Sequence, residues 1–203
     1  MSYAARQTPP RTLDDHEQQL LLRVTGEHAR GYRDHVLFSA ALGTALRQAE
    51  LLALNLGDVY LPSGGARRRF PLTVFKRSNC DVEMQEAIVP DSLQHKLERF
   101  RAWKRTRGED LADSAPLFIS RHNLRLSARM MRVAFVRWQE KAGFQRRFSV
   151  HALRHTALSN LYRDTKDLRL VQRVARHKSV TSTQIYTHPS DEDVVRAVRG
   201  LKC

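Results

Sequence analysis

A single block of strand-like sequence, residues 57–90, lies between two long stretches whose apolar residues recur at helical spacing. Three short segments of this block predict strands: residues 59–61, 70–75 and 82–89. Turn signals separate them at Gly64-Gly65 and Ser78-Asn79. The sequence therefore predicts a mainly α architecture with a small three-stranded antiparallel sheet, which is an α+β fold.

Capping residues and apolar stripes predict the helices. A capping box at residues 12–15 precedes the apolar stripe of a first helix, and Ser127 precedes the clearest amphipathic helix. The second stripe has i, i+3, i+4, i+7 spacing: Met131, Ala134, Phe135, Trp138 and Ala142. Further helices are predicted over residues 34–45 and 48–54, after Asp91, Ser149 and Asp167, and over residues 190–198.

The charge balance indicates what the protein binds. Lys and Arg total 35 against 21 Asp and Glu, a net charge of +14. Such an excess predicts a polyanionic partner, most simply nucleic acid, with a basic but merely solvated surface as the alternative. The sequence contains neither a long apolar run nor an apolar signal core, so we expect a cytoplasmic protein without membrane contact. Its two cysteines, Cys80 and Cys203, argue against a disulfide framework and a cysteine-based zinc site.

Two short clusters carry side chains suited to binding a phosphate. Arg47 stands at the predicted start of a helix, and Glu50, one turn later, can orient its guanidinium. Alone, such a pair is common on protein surfaces. His151 and Arg154 share one face near a helix N-terminus, where anions are favoured. A zinc site formed by His151 and His155 would lack the glutamate of a metalloprotease helix, and His155 receives no chemical role.

A third cluster joins His177 to Tyr186, nine residues later, across a Ser/Thr-rich segment. A tyrosine becomes a nucleophile when its proton is removed or its oxyanion is stabilised, and a cationic phosphate pocket would provide the stabilisation. A lone tyrosine would more simply be structural, and that is the assignment of four others: Tyr3, Tyr32, Tyr60 and Tyr162.

Taken in order, the clusters resemble the tyrosine recombinase family, also called phage-type integrases. The family pattern is an Arg in a Gly-Leu-Arg-x-x-Glu-Leu-like box, a Lys in a β-hairpin, His-x-x-Arg, a His and a Tyr. The matching residues here are Ala45-Leu-Arg-Gln-Ala-Glu-Leu51, His151-x-x-Arg154, His177 and Tyr186. The resemblance covers roughly residues 12–200, and four boxes in the same order make it specific.

The resemblance also identifies a lysine and two departures from the family pattern. The expected hairpin lysine is Lys76, with Arg77 as its competitor because the usual Gly-Lys-Gly turn is missing. Arg176 stands before His177, where the family usually has Gly. The family's usual N-terminal core-binding domain is not expected within this sequence: either the sequence is part of a longer protein that has it, or the protein is a short recombinase that binds DNA with one domain. We expect a disordered lead at residues 1–11 and a catalytic domain over residues 12–203.

The resemblance implies a catalytic set and a chemistry without metal, cofactor or ATP. The implied set is Arg47, Lys76, His151, Arg154, His177 and Tyr186, with Glu50 orienting Arg47. Tyr186 would attack the scissile phosphate and form a 3′-phosphotyrosine, leaving a free 5′-hydroxyl. The two arginines would clamp the non-bridging oxygens, and the first histidine would act as general base. His177 would donate a hydrogen bond to a phosphate oxygen, and Lys76 would protonate the leaving oxygen.

The implied partners are a recombination site in double-stranded DNA and further copies of the chain. A homo-oligomer, expected to be a tetramer on DNA, would carry out strand exchange within the DNA-associated part of the cytoplasm. Two alternatives share the fold. One is a type IB topoisomerase or telomere resolvase with the same chemistry, and the other is a DNA-binding regulator that does not cut. The intact set of catalytic residues argues against the regulator.

Overall fold

Helices dominate the part of the chain that the computed structural model describes, which is residues 11–28, 30–75, 82–177, 179–186 and 198–199. The α-helices are α1 Asp15–Glu27, α2 Tyr32–Thr44, α3 Gln48–Ala53, α4 Leu56–Val59, α5 Asp91–Thr106, α6 Ala128–Lys141, α7 His151–Thr165 and α8 Leu168–Ala175. Two strands, β1 Arg69–Phe75 and β2 Val82–Ile88, and two 3₁₀ turns, Val180–Ser182 and Gln184–Tyr186, complete the order. The predicted mainly α fold with a small antiparallel sheet is confirmed.

The sheet has two strands rather than the three predicted. β1 and β2 pair antiparallel, with Arg69 opposite Ile88 and Phe75 opposite Val82. Residues 59–61 do not form the third strand, because a helical turn, α4, occupies residues 56–59 and leaves only an isolated bridge from Tyr60 to Ala66. The Asp58 carboxylate accepts the backbone N–H of Asn55 at 2.8 Å and so caps this turn. The predicted turn at Gly64 is present, and Gly64 adopts a positive φ of 93°.

Helix caps agree with the sequence in two places and differ in two. The side chains of Ser127 and Asp167 cap α6 and α8 as predicted. The first capping box lies two residues later than predicted, since Asp14 accepts from the backbone of Glu17 at 2.7 Å and Glu17 accepts from that of Asp14 at 2.9 Å. The N-cap of α5 is Pro90, and the predicted cap, Asp91, is the first residue of that helix.

The chain divides into two compact units, Arg11–Ala157 and the described residues from Leu158 onward. The first unit contains an aromatic core around its largest buried side chains: Trp138, Phe38, Phe70, Phe100, Phe118 and Phe135. The predicted stripe of α6 contributes to it through Met131, Ala134, Phe135 and Trp138. Burying each large side chain contributes about 1.5–3 kcal/mol, which fixes α6 against the rest of this unit.

Several predictions concern residues outside the described part of the chain. They are the lead at residues 1–10, the hairpin turn with Lys76, Arg77, Ser78 and Asn79, and most of the helix predicted over residues 190–198. Of the last segment, Val198 is described and is helical together with Arg199. Among the described residues, no helix is both long and apolar enough to cross a membrane.

Candidate active site

The junction between α2 and α3 positions Arg47. Ala45 ends α2 in the left-handed conformation, with φ 52°, and its N–H donates to the carbonyl of Ala41. Ala45 and Leu46 are both buried, whereas Arg47, the N-cap residue of α3, exposes 44% of its side chain. The burial of the two preceding residues therefore fixes the backbone from which the Arg47 guanidinium extends.

Glu50 bonds to Arg47 with both carboxylate oxygens. Its Oε2 accepts the backbone N–H of Arg47 at 2.7 Å, and its Oε1 accepts from the guanidinium Nη1 at 2.7 Å. The first bond satisfies a helix N-terminal donor of α3, and the second restrains the guanidinium. A guanidinium has five N–H donors, so most of them are not needed for this ion pair. The orienting role of Glu50 stays a prediction, and these two bonds are the contacts through which Glu50 would act.

Arg154 reaches the same junction from the first turn of α7. It is buried, and its Nη1 donates to the carbonyl oxygen of Ala45, two residues before Arg47. His151 lies one turn earlier, at the first position of α7, and is exposed. Within the first unit, the short loop that carries Arg47 therefore also accepts a hydrogen bond from Arg154. Two guanidinium groups anchored there can bind the oxygens of a phosphate.

His155 is half-buried on α7, one turn after His151. Burial lowers the pKa of His155 below its ordinary value, and the charges of His151 and Arg154 lower it further. The lowered pKa favours the neutral imidazole of His155. Within the described residues, no group of three or more His, Cys, Asp or Glu side chains is arranged to hold a metal ion.

His177 and Tyr186 lie together in the second unit. Their rings stack with centroids 6.4 Å apart and planes 15° from parallel. The hydroxyl of Thr183 lies 3.0 Å from His177 Nδ1, and the Thr183 carbonyl accepts the backbone N–H of Tyr186 at 3.0 Å. Thr183 is completely buried and Tyr186 is 7% exposed. One buried threonine thus contacts both predicted residues.

Sequence reasoning missed Thr183 as part of this arrangement. Its position three residues before Tyr186, within a Ser/Thr-rich segment, was the available signal, because a 3₁₀ turn joins residues i and i+3. The main chain of His177 is also fixed, since its N–H donates to the carbonyl of Gln172 and its own carbonyl accepts from Gln172 Nε2, both at 3.2 Å.

Arg176, where the family usually has Gly, ends α8 in the left-handed conformation with φ 53° and ψ 44°. Ala45 has the same kind of backbone, and it occupies the Gly position of the family's Gly-Leu-Arg box. Left-handed backbone favours glycine because a Cβ is crowded there. At both positions, where the family usually has glycine, this chain therefore has a backbone conformation that favours glycine but carries another residue.

Arg125 is a second residue that the sequence did not reveal. Its guanidinium donates to the carbonyl oxygens of Leu52 and Ala53, each at 2.9 Å, and to the side-chain oxygen of Asn55. These bonds satisfy carbonyls at the C-terminal end of α3, a helix of only six residues that begins after Arg47. Arg125 therefore stabilises the helix that positions Arg47.

Comparison with protein families identifies the chain. The model described as the phage integrase family matches residues 11–193. The chain belongs to the phage integrase family. Within this family it is similar to the tyrosine recombinase XerC of Vibrio parahaemolyticus, with 31% identity over 189 residues that cover 93% of this chain and 57% of that protein. The chain thus spans little more than half the length of the curated relatives it matches.

Solved structures of other integrase-family proteins show the same fold. One is the XerH site-specific recombinase bound to a palindromic difH substrate in a post-cleavage complex, with 22% identity and a TM-score of 0.74 over 98% of this chain and 55% of that chain. Another is the catalytic domain of bacteriophage HP1 integrase, with 16% identity and a TM-score of 0.61 over 94% of this chain and 95% of that one.

Proposed function

We propose that this protein cleaves and rejoins DNA at specific sites through a covalent bond to Tyr186. The observation that carries the proposal is the anchoring of Arg154 to the carbonyl of Ala45, at the loop where Glu50 restrains Arg47. Two fixed guanidinium groups can neutralise a phosphodiester and the additional charge of its pentavalent transition state. Neither a metal ion nor ATP is needed for this role.

In the proposed reaction, the phenolic oxygen of Tyr186 forms a bond to phosphorus while the bond from phosphorus to the 5′-oxygen breaks. His151 accepts the phenolic proton, and Lys76 gives a proton to the departing 5′-oxygen. The products are a 3′-phosphotyrosine and a free 5′-hydroxyl. Attack by a partner strand's 5′-hydroxyl reverses each step and joins the new strands. The phosphotyrosyl ester conserves the energy of the cleaved bond.

His177 is assigned as a hydrogen-bond donor to a phosphate oxygen, and Thr183 supports this role. A hydroxyl can donate to Nδ1 of a neutral imidazole, and the ring proton is then on Nε2. The 3.0 Å distance between Thr183 Oγ1 and His177 Nδ1 suits such a bond. Thr183 would therefore keep Nε2–H available as the donor, which makes it a positioning residue rather than a catalytic one.

The proposed partner is double-stranded DNA carrying a recombination site, bound by a homotetramer in the DNA-associated part of the cytoplasm. The net charge of +14 and the DNA bound in the XerH structure support the DNA partner. We assign residues 12–203 to the catalytic domain. Coverage of 95% of the HP1 integrase catalytic domain supports this assignment.

Covalent capture on nicked DNA tests the proposal. A pool of nicked duplexes with random central sequence is incubated with the full chain in EDTA, and SDS-resistant adducts are isolated and sequenced. The wild type should form adducts that share a sequence. Tyr186→Phe should form none, and the matched variant Tyr162→Phe should behave as the wild type.

Adducts from Tyr186→Phe at the wild-type level would contradict the assignment, and so would their loss in Tyr162→Phe. The captured sequence then separates recombination from the topoisomerase alternative. Two copies on one plasmid should recombine, whereas a topoisomerase would only relax supercoils.

A further inference from the structure

We propose that the first unit contains a second phosphate-binding site, in a pocket formed by the C-terminal ends of α1 and α6. The pocket has a volume of about 350 Å³ and is lined by His28, Arg30, Arg137, Trp138 and Lys141. Four of these five residues are basic. The proposal concerns different residues from the strand-exchange chemistry and does not rest on it.

Asp34 contacts the pocket lining, and its carboxylate is already paired with Arg33, which does not line the pocket. Asp34 is completely buried, and its Oδ1 accepts from Arg33 Nε at 2.8 Å and Nη2 at 2.6 Å. Its Oδ2 accepts from the indole Nε1 of Trp138 at 2.7 Å and lies 3.7 Å from Nη2 of Arg137. The charge of Asp34 therefore does not balance the positive charges of the pocket.

His28 adds an observation that points to an anion. Its Nδ1 accepts the backbone N–H of Arg30 at 3.1 Å, which directs Nε2 toward Lys141. That nitrogen lies 3.1 Å from the ammonium nitrogen of Lys141, which has three donors and no acceptor. An anionic oxygen bound beside these two groups would accept from the ammonium group and from Nε2 in the tautomer that protonates it.

Trp138 fixes the cations around the pocket. The Arg137 guanidinium and the Lys141 ammonium lie 5.4 Å and 5.2 Å from the centroid of its ring. The ring of His28 contacts the same indole edge to face, at 5.2 Å. A phosphate group suits this set, because its several oxygens and double charge can bind guanidinium and ammonium groups together.

The pocket lies away from the Arg47 site. Gln48, the residue after Arg47, donates from Nε2 to the carbonyl of Ala128, the first residue of α6. Arg137 and Lys141 lie roughly 14 and 20 Å farther along the axis of α6 than Ala128, because an α-helix rises 1.5 Å per residue. A phosphate in the pocket is therefore not the phosphate that Arg47 and Arg154 would clamp. It belongs either to a nucleic-acid backbone or to a free phosphate compound.

The two tryptophans of the chain make the site directly measurable. Inorganic phosphate is titrated into the ¹⁵N-labelled full chain at constant ionic strength, and the two indole N–H signals are followed by NMR. The Trp138 signal should shift and saturate. Trp103 is an internal control, because the Arg107 guanidinium lies 4.8 Å from its ring centroid and the pocket does not include it.

Variants that remove one positive charge distinguish phosphate binding in the pocket from nonspecific attraction of phosphate to the basic surface. Arg30→Gln and Arg137→Gln should each weaken phosphate binding about tenfold, as expected for a lost hydrogen bond to a charged group. Arg132→Gln removes an exposed charge from the same helix and should leave binding unchanged. Arg137 also lies 3.7 Å from the buried Asp34 carboxylate, so its removal can affect more than the pocket. Arg30→Gln, outside α6, therefore provides a second and independent variant.

A Trp138 signal that does not respond to phosphate would overturn the proposal. An equal loss of affinity in Arg132→Gln and the two pocket variants would overturn it as well. Binding of a short DNA duplex identifies the source of the phosphate. If it is a DNA backbone, Arg137→Gln should reduce the slope of log affinity against log salt by roughly 0.9 relative to Arg132→Gln. If it is a free compound, the two slopes should agree while phosphate binding differs.

Discussion

At position 176, glycine should be more stabilising than alanine, in contrast to its effect within a helix. Arg176 has φ 53°, and a left-handed backbone costs a residue with a Cβ roughly 1–2 kcal/mol. Glycine avoids that cost but loses about 0.5–1 kcal/mol more backbone entropy on folding. Arg176→Gly also removes the contacts of the arginine side chain, so Arg176→Ala is the proper reference. The glycine variant should be more stable than the alanine variant by about 0.5–1 kcal/mol.

A second pair of variants in the same helix should show the opposite sign. Arg173 is exposed within α8, where alanine is better than glycine by about 0.5–1 kcal/mol. Thermal unfolding of all four variants tests both signs, and a change of 1 kcal/mol corresponds to roughly 2–4 °C in Tm for a chain of this size. If Arg176→Gly melts below Arg176→Ala, the left-handed conformation assigned to residue 176 is wrong.

Three further predictions concern the site. Thr183→Val removes the hydroxyl beside His177 Nδ1 and should slow cleavage of nicked DNA roughly 10- to 100-fold. Thr183→Ser keeps the hydroxyl and should retain most of the cleavage rate. Equal rates for the two variants would refute the positioning role. Lys76→Ala should cleave normal DNA slowly but should cleave DNA with a bridging 5′-sulfur nearly as fast as the wild type, because a sulfur leaving group needs no proton. Arg154→Ala should stay slow on both substrates. If Lys76→Ala is equally slow on both substrates, Lys76 is not the general acid. Because the pKa of His155 is lowered in the folded state, the unfolded chain binds more protons below about pH 6.5, and the free energy of unfolding should fall as the pH falls. Urea unfolding at several pH values should show a smaller fall for His155→Asn, and identical pH profiles would contradict this linkage.

Local patterns predicted α6 well, because its cap and its stripe depend on residues within a few positions of each other. The start of α1 depended on a distant contact. Thr12 and Asp14 are both capping residue types, but the backbone N–H of Leu13 donates to the Thr156 hydroxyl at 2.8 Å. That bond joins residues 143 positions apart and holds the chain outside the helix at Leu13. No local pattern contains this information.

The third predicted strand failed because two local preferences competed. Val59 and Tyr60 belong to residue types that favour strands, yet Asn55 and Asp58 cap a helical turn just before them. The capped turn also buries Leu56 and Val59, so its packing agrees with its hydrogen bonding. Strand preference measures how well a side chain fits a half-buried sheet surface, and here a helical turn provides the burial instead.

The order of the motifs predicted which residues belong to the candidate site but not what positions them. The bond from Arg154 to Ala45 and the bonds from Arg125 to the end of α3 join residues far apart in the chain. Both use backbone carbonyl oxygens as acceptors. Every residue type offers that acceptor, so the sequence carries no mark of it.

The left-handed backbone at Ala45 and Arg176 has a consequence for recognising distant members of this family. Ala45 lies two residues before Arg47 and Arg176 directly precedes His177, and at both positions this chain has another residue where the family usually has glycine. At both points this chain reaches a positive φ without glycine, so the residue type alone does not mark the backbone conformation. A search template that demands glycine two residues before the arginine and directly before the histidine would pass over this protein. One that demands a positive φ at the same two places would find it.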